Sequence, residues 1–593
     1  MSTAVGNRLL PHIMGSNAEA DPMNHVVWWF EQTVTEHCDT TTVAYMGPND
    51  IRYVISAIAI AKTFLPSTRN SAEANAHLLR AVDCNCLLWG GQSQPAHGQA
   101  LVPDLQVWQF PSLDELLNSR VSHYPYNKTY QEAEDETFVI LHSSGTTGAH
   151  HPVHRRPIHV DYGTDPQLIY RYCTIKSLSS YLRDAMKGNV SNGEAEDRGE
   201  DVQATLKHIT NKYTNSLPKV EHQTIYVPAP SNIILTGSTG SLGSYLLDVL
   251  LLEPSIKKVY YLNRSSDAFE RQIFSFYERQ VNVKVLLSPK AEFLTTNLGG
   301  KTLGLSQSKY NELLNKTDAI VHNAWRVGFN LSVHSFKKDH IRGTRNLLNL
   351  SISSRKAAHM YFISSIATTS SWDPSRGKIP EDILPDTVEP PLQGYGQSKC
   401  VAENISLAVS TRSGVPVTIL RVGQVAGPTT KSGGYWNPDE WFPSLVSTSK
   451  SMCSIPKWLG MPVEWIPVNT LAQVVLEIIQ CGKDSKKSIP ASVINLVNPT
   501  RTTWATLLPT IQRRIGANPV SLQSWVRALG ETDAVNVGNR PAYKLLSFYE
   551  RLARSNSDDR SPQFETNKAS AASPTFRALG SIDSSLVHTW LDK

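Results

Sequence analysis

Tyr395 and Lys399 form a Tyr-x-x-x-Lys pair, a spacing that places a phenol and an ammonium group on one face of a helix. A phenol with its ordinary pKa of about 10 is a poor acid near neutral pH unless a cation stabilises the phenolate. Lys399 supplies that cation and can also hold the ribose of a nicotinamide. The pair therefore predicts proton donation to a carbonyl oxygen, with both residues serving as catalytic and as cofactor-binding groups.

An apolar stretch, Met360-Tyr-Phe-Ile-Ser-Ser-Ile-Ala367, is typical of a strand and ends in two hydroxyl groups. A hydroxyl there can hydrogen-bond the reacting carbonyl while the tyrosine delivers its proton. Side chains alternate between the faces of a strand, so only one of the two serines can point into a cleft. We predict that Ser365, rather than Ser364, is catalytic; the alternative is a serine that only caps the strand end.

Residues 233–243 predict the elements that would hold a cofactor beside these groups. A β-branched run leads through three glycines into a helix-like run, which indicates strand, tight turn and helix. We expect Gly237 to permit the turn, Gly240 to let the backbone approach a pyrophosphate, and Gly243 to let the helix pack closely on the strand. The phosphates would lie at the helix N-terminus. The predicted cofactor-binding residues of this turn are Thr236, Gly237, Thr239, Gly240, Ser241, Leu242 and Gly243.

A second strand-like run, Val259-Tyr-Tyr-Leu-Asn-Arg264, ends about 20 residues after the glycines. An acidic residue in this place would bind a free ribose 2′-hydroxyl, whereas an arginine accommodates a 2′-phosphate. Arg264 therefore favours NADPH over NADH. The alternative is an arginine that is simply solvated at the surface.

The chain from about residue 230 to residue 593 resembles one family. The motifs that carry the resemblance are Thr-Gly-Ser-Thr-Gly-Ser-Leu-Gly, Tyr-Leu-Asn-Arg-Ser, His322-Asn-Ala-Trp-Arg-Val-Gly-Phe-Asn330, Ser364-Ser365, Gly-Tyr-Gly-Gln-Ser-Lys and Leu420-Arg-Val-Gly-Gln-Val-Ala-Gly427. They are similar to the thioester reductase domain of fungal adenylate-forming reductases, an extended short-chain dehydrogenase. We expect an α/β fold: a Rossmann-type, doubly wound parallel sheet with a smaller C-terminal substrate region.

The resemblance also implies further cofactor contacts. Asn323 and Ala324 would flank the adenosine side, and Val422 and Gln424, with Gly423 between them, would lie beside the nicotinamide. The sequence departs from the family at Asn297, where an aspartate is usual near the adenine. An amide can still hydrogen-bond there, so this departure weakens the implication only slightly.

The N-terminal part resembles a different domain. Residues 138–148 read as a strand followed by a loop rich in hydroxyls and glycine, similar to the phosphate-binding loop of adenylate-forming enzymes. Residues 45–53 and 66–71 resemble earlier parts of that domain. The family continues from the loop with Pro-Lys, whereas this chain has Ala-His-His-Pro-Val-His. We therefore predict a partial adenylation domain, an α/β fragment, at 1–165; the alternative is an unrelated small domain.

The next segment suggests a large internal deletion. The adenine-binding segment, the ribose-binding aspartate and the closing lysine of an adenylation domain are not recognisable, and residues 168–182 already resemble the last helix region of a carrier protein. A Gly-Asp-Ser-Leu-like site for phosphopantetheine does not precede them. We predict a carrier remnant at 166–187, a linker at 188–230 that contains a short helical pattern, and the NADPH-dependent reductase at 231–593. Residues 554–575, rich in Ser, Asp, Asn and Ala, predict a loop before a final helix.

Composition excludes several other functions. A net charge of +5 spread over 593 residues, without a basic stripe, argues against nucleic-acid binding. The 18 histidines do not have metal-ligand spacing, so we predict no metal site. The seven cysteines form no disulfide framework, and neither a signal pattern nor a membrane-length apolar run occurs. These features favour the cytoplasm.

Three functional hypotheses follow. The leading one is an NADPH-dependent oxidoreductase that reduces a thioester or aldehyde to an aldehyde or alcohol in secondary metabolism. Its substrate would be a small molecule or an acyl group bound to a carrier, which could be a separate carrier protein. The alternatives are a short-chain dehydrogenase acting on a small ketone or alcohol, and a non-catalytic remnant of an adenylate-forming reductase.

Overall fold

The computed structural model divides the chain into two units. One unit comprises Met1–Arg198, Asp439–Ser451 and Val526–Ser547, and the other comprises Gly199–Pro438, Met452–Trp525 and Phe548–Lys593. The structure describes residues 43–46, 63–64, 72–82, 84–90, 105–112, 115–116, 139–142, 152–155, 202–218, 230–328, 331–385, 387–430, 436–438, 440–481, 491–532, 539–554 and 562–592.

The N-terminal unit contains a mostly parallel sheet. Its described strands are β1 (Val43–Met46), β2 (Thr63–Phe64), β3 (Cys86–Trp89), β4 (Gln106–Gln109), β5 (Val139–His142) and β6 (Pro152–Arg155), in the order β4-β3-β1-β2-β5-β6. Strands β5 and β6 pair antiparallel. Helix α1 (Ala72–Ala81) buries Leu78 and Leu79 in the core that also holds Leu87 of β3. The same unit includes the helix Trp441–Ser451 and the 3₁₀ helix Pro541–Leu545.

Several sequence predictions lie outside the described residues. The candidate phosphate loop at 143–148 and the carrier-like segment at 166–187 are among them, as is most of the linker at 188–230. The assignment of residues 1–165 to a partial adenylation domain therefore stays a prediction.

The second unit is built on a parallel sheet flanked by helices. Through the described residues its elements are α2 (Val202–Thr214), β7 (Asn232–Thr236), α3 (Ser241–Leu252), β8 (Lys258–Asn263), α4 (Ala268–Glu278), β9 (Ala291–Thr295), α5 (Gln307–Lys316), β10 (Ala319–His322), α6 (Arg342–Ser353), β11 (His359–Ser365), α7 (Gly394–Ser413), β12 (Val417–Val422), β13 (Val425–Ala426), β14 (Ser454–Pro456), β15 (Ile466–Pro467), α8 (Val468–Cys481), β16 (Ser492–Leu496), α9 (Trp504–Ile515), β17 (Asn518–Val520), α10 (Asn567–Ala572), α11 (Pro574–Arg577) and α12 (Ser584–Leu591). The helices Leu522–Gly530 and Leu546–Arg554 each span a boundary between the two units.

Single-turn helices connect several of these elements. They are the 3₁₀ helices Val283–Leu287, Lys301–Gly304, Val333–Phe336, Ile366–Thr369 and Pro374–Arg376, and the π-helical turn Lys337–Ile341 that leads into α6.

Strand order identifies the fold class. Seven of the described strands form a sheet in the order β16-β12-β11-β10-β7-β8-β9, and every neighbouring pair is parallel. The chain therefore starts in the middle, moves to one edge through β8 and β9, and returns through β10 toward the other edge. This is the doubly wound Rossmann arrangement, whose ligands bind where the order reverses, between β7 and β10. The predicted fold class is confirmed.

Alternation along the strands divides the core into two layers. Ile233 and Leu235 of β7 face a cluster that includes side chains of α3 and α8, whereas Ile234 faces a second cluster with α6 and α7. All three residues are fully buried. A strand covered on both faces reads as a continuous apolar run, which is why β7 was recognisable in the sequence.

The described helix within the predicted linker belongs to the second unit and packs against its other helices. Helix α2 buries Leu206 and Ile209 in the cluster that includes α7. The carbonyl oxygen of Thr214 accepts a hydrogen bond from Arg412 at 3.1 Å, and that of Pro218 accepts one from Ser413 at 2.7 Å. Residues 202–218 are thus held by the end of α7 rather than forming a free connection.

A smaller region lies outside the main sheet, as predicted, with short strands both before and after β16 in the chain. The short pairs β13–β15 and β14–β17 are parallel, and helices α9 and α12 pack together. Trp590 of α12 donates a hydrogen bond from its indole Nε1 to the carbonyl oxygen of Pro428 at 3.0 Å. Through the described part of the chain, no helix is both long and apolar enough to cross a membrane.

Candidate active site

The turn between β7 and α3 is shaped by two close approaches. Gly237 has φ +71°, and a Cβ there would lie 2.8 Å from the Cα of Ala324. A Cβ at Gly243 would lie 1.9 Å from the carbonyl oxygen of Gly237, so this glycine lets α3 pack against the turn itself rather than against the strand. At Gly240 the nearest atom would be 3.5 Å away. That position therefore leaves room for a ligand to approach the backbone.

The N-terminus of α3 faces this turn and carries the positive end of the helix dipole. Gly240 is its N-cap, and it has no side chain that could cap the first N–H groups. Thr239, Ser241 and Leu242 are half-buried around the turn. A helix start of this kind suits a phosphate group.

Hydroxyl groups that sequence analysis missed hold the turn in place. Ser244 Oγ donates to the carbonyl oxygen of Gly240 at 2.9 Å or to that of Ser238 at 3.1 Å, and lies 2.7 Å from Ser275 Oγ. Arg279 donates from Nη1 to Ser275 Oγ at 2.7 Å. This buried group connects α3 to α4. The sequence offered only a weak signal for it, a serine one residue after the third glycine.

Thr236 connects the turn to the neighbouring strand across the switch point. Its Oγ1 accepts hydrogen bonds from the backbone N–H groups of Asn323 at 3.1 Å and Ala324 at 3.0 Å, and lies 2.9 Å from His322 Nδ1. Asn323 donates from Nδ2 to the carbonyl oxygen of Gly237 at 3.1 Å. His322 Nε2 lies 3.1 Å from Thr344 Oγ1, and burial lowers the pKa of His322. The structure thus brings Asn323 and Ala324 to the glycine turn.

Arg264 lies immediately after β8 and is exposed. The preceding residue, Asn263, is buried and exchanges a hydrogen bond with Ser238 in the turn. Burial lowers the pKa of His340 to about 4, and the charges of Lys399 and Arg264 act in the same direction. Arg264 thus follows the residue that bonds to the turn, and its charge acts on a histidine in the segment before α6. Asn297 is exposed, and its backbone N–H donates to the carbonyl oxygen of Leu303.

Tyr395 and Ser365 meet where β11 ends and α7 begins. Their side chains are hydrogen-bonded, and burial raises the pKa of Tyr395 to about 12 while the bond to Ser365 opposes that shift. Ser364 points the other way and donates to Glu403 Oε1 at 2.5 Å. Strand alternation thus separates the two serines, and Ser365 is the one beside the tyrosine.

Lys399 lies one turn after Tyr395 and is 2% exposed. Its Nζ donates to the carbonyl oxygen of Ile363 at 2.5 Å. Burial lowers the pKa of Lys399 well below its usual value, and the charge of Glu403 acts against that shift. The predicted trio of Ser365, Tyr395 and Lys399 therefore occupies one place at the carboxyl end of β11.

A buried ion pair, which sequence analysis did not predict, lies behind this trio. Glu403 Oε2 accepts from Arg421 Nη2 at 2.7 Å, and Arg421 also donates from Nη1 to the carbonyl oxygen of Asp382 at 2.9 Å. The side chains of Arg421 and Glu403 are 1% and 3% exposed. The arginine belongs to the motif Leu420–Gly427, but nothing in the sequence pointed to its partner.

Val422 and Gln424 lie at the carboxyl end of β12, the strand that carries Arg421. Val422 is buried at the end of β12, opposite Leu496 of β16. Gln424 is half-buried and donates from Nε2 to the carbonyl oxygen of Val425 at 2.8 Å. Both residues lie at the same edge of the sheet as Ser365, since β11 and β12 are parallel neighbours. Their predicted contact with a nicotinamide stays a prediction.

Comparison with known proteins connects this geometry to a family. Residues 235–475 match the model of an NAD-binding family described as male sterility protein. The chain is 32% identical over 440 residues to a carboxylic acid reductase of Neurospora crassa, covering 72% of this chain and 40% of that protein. It is 32% identical over 460 residues to adenylate-forming reductase Nps11 of Serpula lacrymans, covering 72% and 41%. Over nearly three quarters of its length, the chain is thus similar to one part of these reductases.

Solved structures agree with this similarity. The unit resembles the terminal R domain of the myxalamid PKS-NRPS pathway, with 25% identity, a TM-score of 0.54, and coverage of 66% of this chain and 97% of that one. An R domain of a Mycobacterium tuberculosis nonribosomal peptide synthetase shares the fold, with 17% identity, a TM-score of 0.51 and coverage of 66% and 97%. The chain therefore contains an NAD-binding domain that has the fold of these R domains. It spans about 40% of the length of the curated relatives it matches.

Proposed function

We propose that this chain is an NADPH-dependent reductase that converts a thioester to an aldehyde, or an aldehyde to an alcohol. The observation that carries the proposal is the placement of Ser365, at the end of β11, beside Tyr395 and one helical turn from the buried Lys399, whose Nζ donates to the carbonyl oxygen of Ile363 in the same strand. The three groups lie at the carboxyl end of a parallel sheet, next to the point where strand order reverses. That edge is where nucleotide-binding sheets of this kind bind their ligands.

The residues present fit a dinucleotide. The room at Gly240 and the N-terminus of α3 suit the pyrophosphate, because backbone N–H groups and the helix dipole point at it. The exposed Arg264 suits a 2′-phosphate on the adenosine ribose, and Lys399 suits the nicotinamide ribose. When bound, NADPH supplies the hydride.

The side chains then have distinct tasks in the reduction. Tyr395 and Ser365 hydrogen-bond the carbonyl oxygen, and Tyr395 gives it a proton as hydride adds to the carbonyl carbon. The positive charge of Lys399 stabilises the resulting phenolate. With a thioester, the C–S bond then breaks, the C=O bond forms again, and the products are an aldehyde and a thiol. With an aldehyde, the product is an alcohol.

The names of the relatives suggest the class of substrate. Relatives at 32% identity are named carboxylic acid reductase and adenylate-forming reductase. We propose an acyl thioester on a separate carrier protein, or a small aldehyde, as the substrate. A thioester added in solution can replace a tethered one, but its effective concentration at the site is lower.

A substrate panel tests this function directly. Purified full-length protein is incubated with NADPH and acyl-pantetheine thioesters, aldehydes or simple ketones, while absorbance of the reduced nicotinamide is followed. We expect NADPH oxidation with a thioester or an aldehyde, and no oxidation with the Tyr395→Phe variant. Turnover of ketones alone, or of none of the three classes, would contradict the proposal.

Replacing Arg264 with alanine should weaken NADPH binding selectively. Loss of one charge-assisted contact to phosphate costs about 1.5–3 kcal/mol, which corresponds to a rise in Kd of roughly 10- to 150-fold. NADH lacks the 2′-phosphate, so its Kd should stay within about twofold. Titration of both cofactors, with the exposed Arg355→Ala variant as a control, measures the difference. Equal weakening for both cofactors would show that Arg264 does not contact the 2′-phosphate.

A further inference from the structure

The ammonium group of Lys399 is enclosed by aromatic rings. Its Nζ lies 4.3 Å from the ring centroid of Trp325 and 4.8 Å from that of Phe362. The faces of aromatic rings carry negative potential, and a cation within about 6 Å of a centroid is attracted to them. Together with the carbonyl oxygen of Ile363, the rings replace part of the water that a buried ammonium has lost.

Trp325 is held firmly in this position. Its indole Nε1 donates to Ser398 Oγ at 3.2 Å, and Ser398 in turn donates to the carbonyl oxygen of Tyr395 at 2.7 Å. The ring also packs against His340, with centroids 5.0 Å apart, and against Phe336. The indole is thus bonded to the helix that carries Tyr395 and Lys399. Because Trp325 follows Asn323 and Ala324 directly, it also adjoins the glycine turn.

The other charged and titratable groups packed around Lys399 provide limited compensation. They are Glu403 and Tyr395 on α7, Arg421 on β12, His322 on β10, His340 with Asp339 before α6, and Arg264 after β8, whose charge acts on His340. The carboxylate of Glu403 already accepts hydrogen bonds from Arg421 and Ser364. Burial lowers the pKa of both His322 and His340, and both lie close enough to feel the charge of Lys399. Two neutral imidazoles and a compensated carboxylate leave the aromatic faces as a main source of negative potential.

We propose that Trp325 is a positioning residue for the reduction, whose indole face, aided by Phe362, keeps Lys399 protonated and aimed along the α7 face that carries Tyr395. This inference rests on the proposed function, since it assigns a role in that reaction. It predicts that Trp325 sets the upper pH limit of activity. Without the indole, the ammonium loses its proton at lower pH, and the phenolate of Tyr395 loses its stabilising cation.

The test compares Trp325→Leu with Trp325→Phe, which retains an aromatic face. The pH dependence of kcat/KM is measured for NADPH oxidation with the best substrate of the panel. In Trp325→Leu the alkaline limb should move to lower pH by about one unit or more. In Trp325→Phe the same limb should move by less than half of that shift. Trp458→Leu, at a 41% exposed tryptophan in the same unit, should leave the profile unchanged.

A second measurement does not depend on turnover. The rate at which a small acylating reagent modifies Lys399 is followed across pH by peptide mass spectrometry, because only the neutral amine reacts. Trp325→Leu, and to a smaller extent Phe362→Leu, should shift this titration to lower pH. If the native protein lacks reductase activity, the proposed function fails, while the labelling experiment still decides the role of Trp325. A uniform loss of activity with unshifted profiles, or unchanged labelling, would overturn the inference.

Discussion

Replacing Tyr395 with phenylalanine should reduce turnover by roughly 10²- to 10⁴-fold, the usual contribution of a positioned general acid. The variant keeps the ring, which packs near Phe336, and removes only the hydroxyl that bonds to Ser365. The affinity for NADPH should stay within about twofold, because this hydroxyl acts on the substrate carbonyl. Single-turnover measurements with pre-bound NADPH separate the two effects.

Tyr277→Phe is the matched control for that experiment. Tyr277 lies on α4, is 75% exposed, and should lose its hydroxyl without consequence for turnover. Near-native turnover of Tyr395→Phe would exclude the tyrosine from the chemistry. A parallel loss of NADPH affinity would instead assign the hydroxyl to cofactor binding.

Replacing Glu403 with leucine should lower the free energy of unfolding by about 3–5 kcal/mol, because removal of one partner leaves a buried charge without compensation. Arg421 would keep its bond to the carbonyl oxygen of Asp382 but lose its three hydrogen bonds to the carboxylate. Ser364 would lose its acceptor as well. Urea unfolding followed by circular dichroism measures the change.

A double variant and a surface pair serve as its controls. Glu403→Leu combined with Arg421→Met should recover much of the loss, since an apolar pair can replace a buried ion pair at little cost. On α5, the side chain of Lys316 is 58% exposed and pairs with Glu312. Lys316→Ala breaks this pair and should lower the free energy of unfolding by less than about 1 kcal/mol. An equally small effect of Glu403→Leu would mean that water reaches Arg421 in the native fold.

The fold was predictable because its signals are local. The buried run of β7, the glycines and the start of α3 lie within a dozen residues, and the positive φ of Gly237 is a property of that residue type. The same holds for Tyr395 and Lys399, whose proximity follows from helical spacing. Ser365 was distinguishable from Ser364 because strand alternation is also a local rule. Their assigned roles in catalysis and cofactor binding stay predictions.

Features that depend on distant residues were not predictable. The partners of Ser364 and Arg421 meet at Glu403, which is 39 residues from one and 18 from the other. In the described part of the predicted loop at 554–575, residues 567–572 form helix α10 instead, and helix α11 begins at Pro574. Glu381, 187 residues away, accepts the backbone N–H of Lys568, and its other oxygen accepts that of Ala569 at 3.2 Å, which satisfies the start of α10. The amphipathic pattern of α2 predicted a helix but not the surface against which it packs.

The contacts of Thr236 permit only one arrangement of hydrogen atoms. Its oxygen accepts two backbone N–H groups, so its own proton must point at His322 Nδ1. The imidazole then carries its hydrogen on Nε2 and gives it to Thr344, whose hydroxyl donates to the carbonyl oxygen of His340 at 2.9 Å. If the imidazole were protonated, its Nδ1–H would face the hydroxyl hydrogen of Thr236, and neither donor would have an acceptor. The connection across the switch point therefore stays neutral through the pH range in which an ordinary histidine titrates, and a pH profile of the proposed reduction would be free of any contribution from His322.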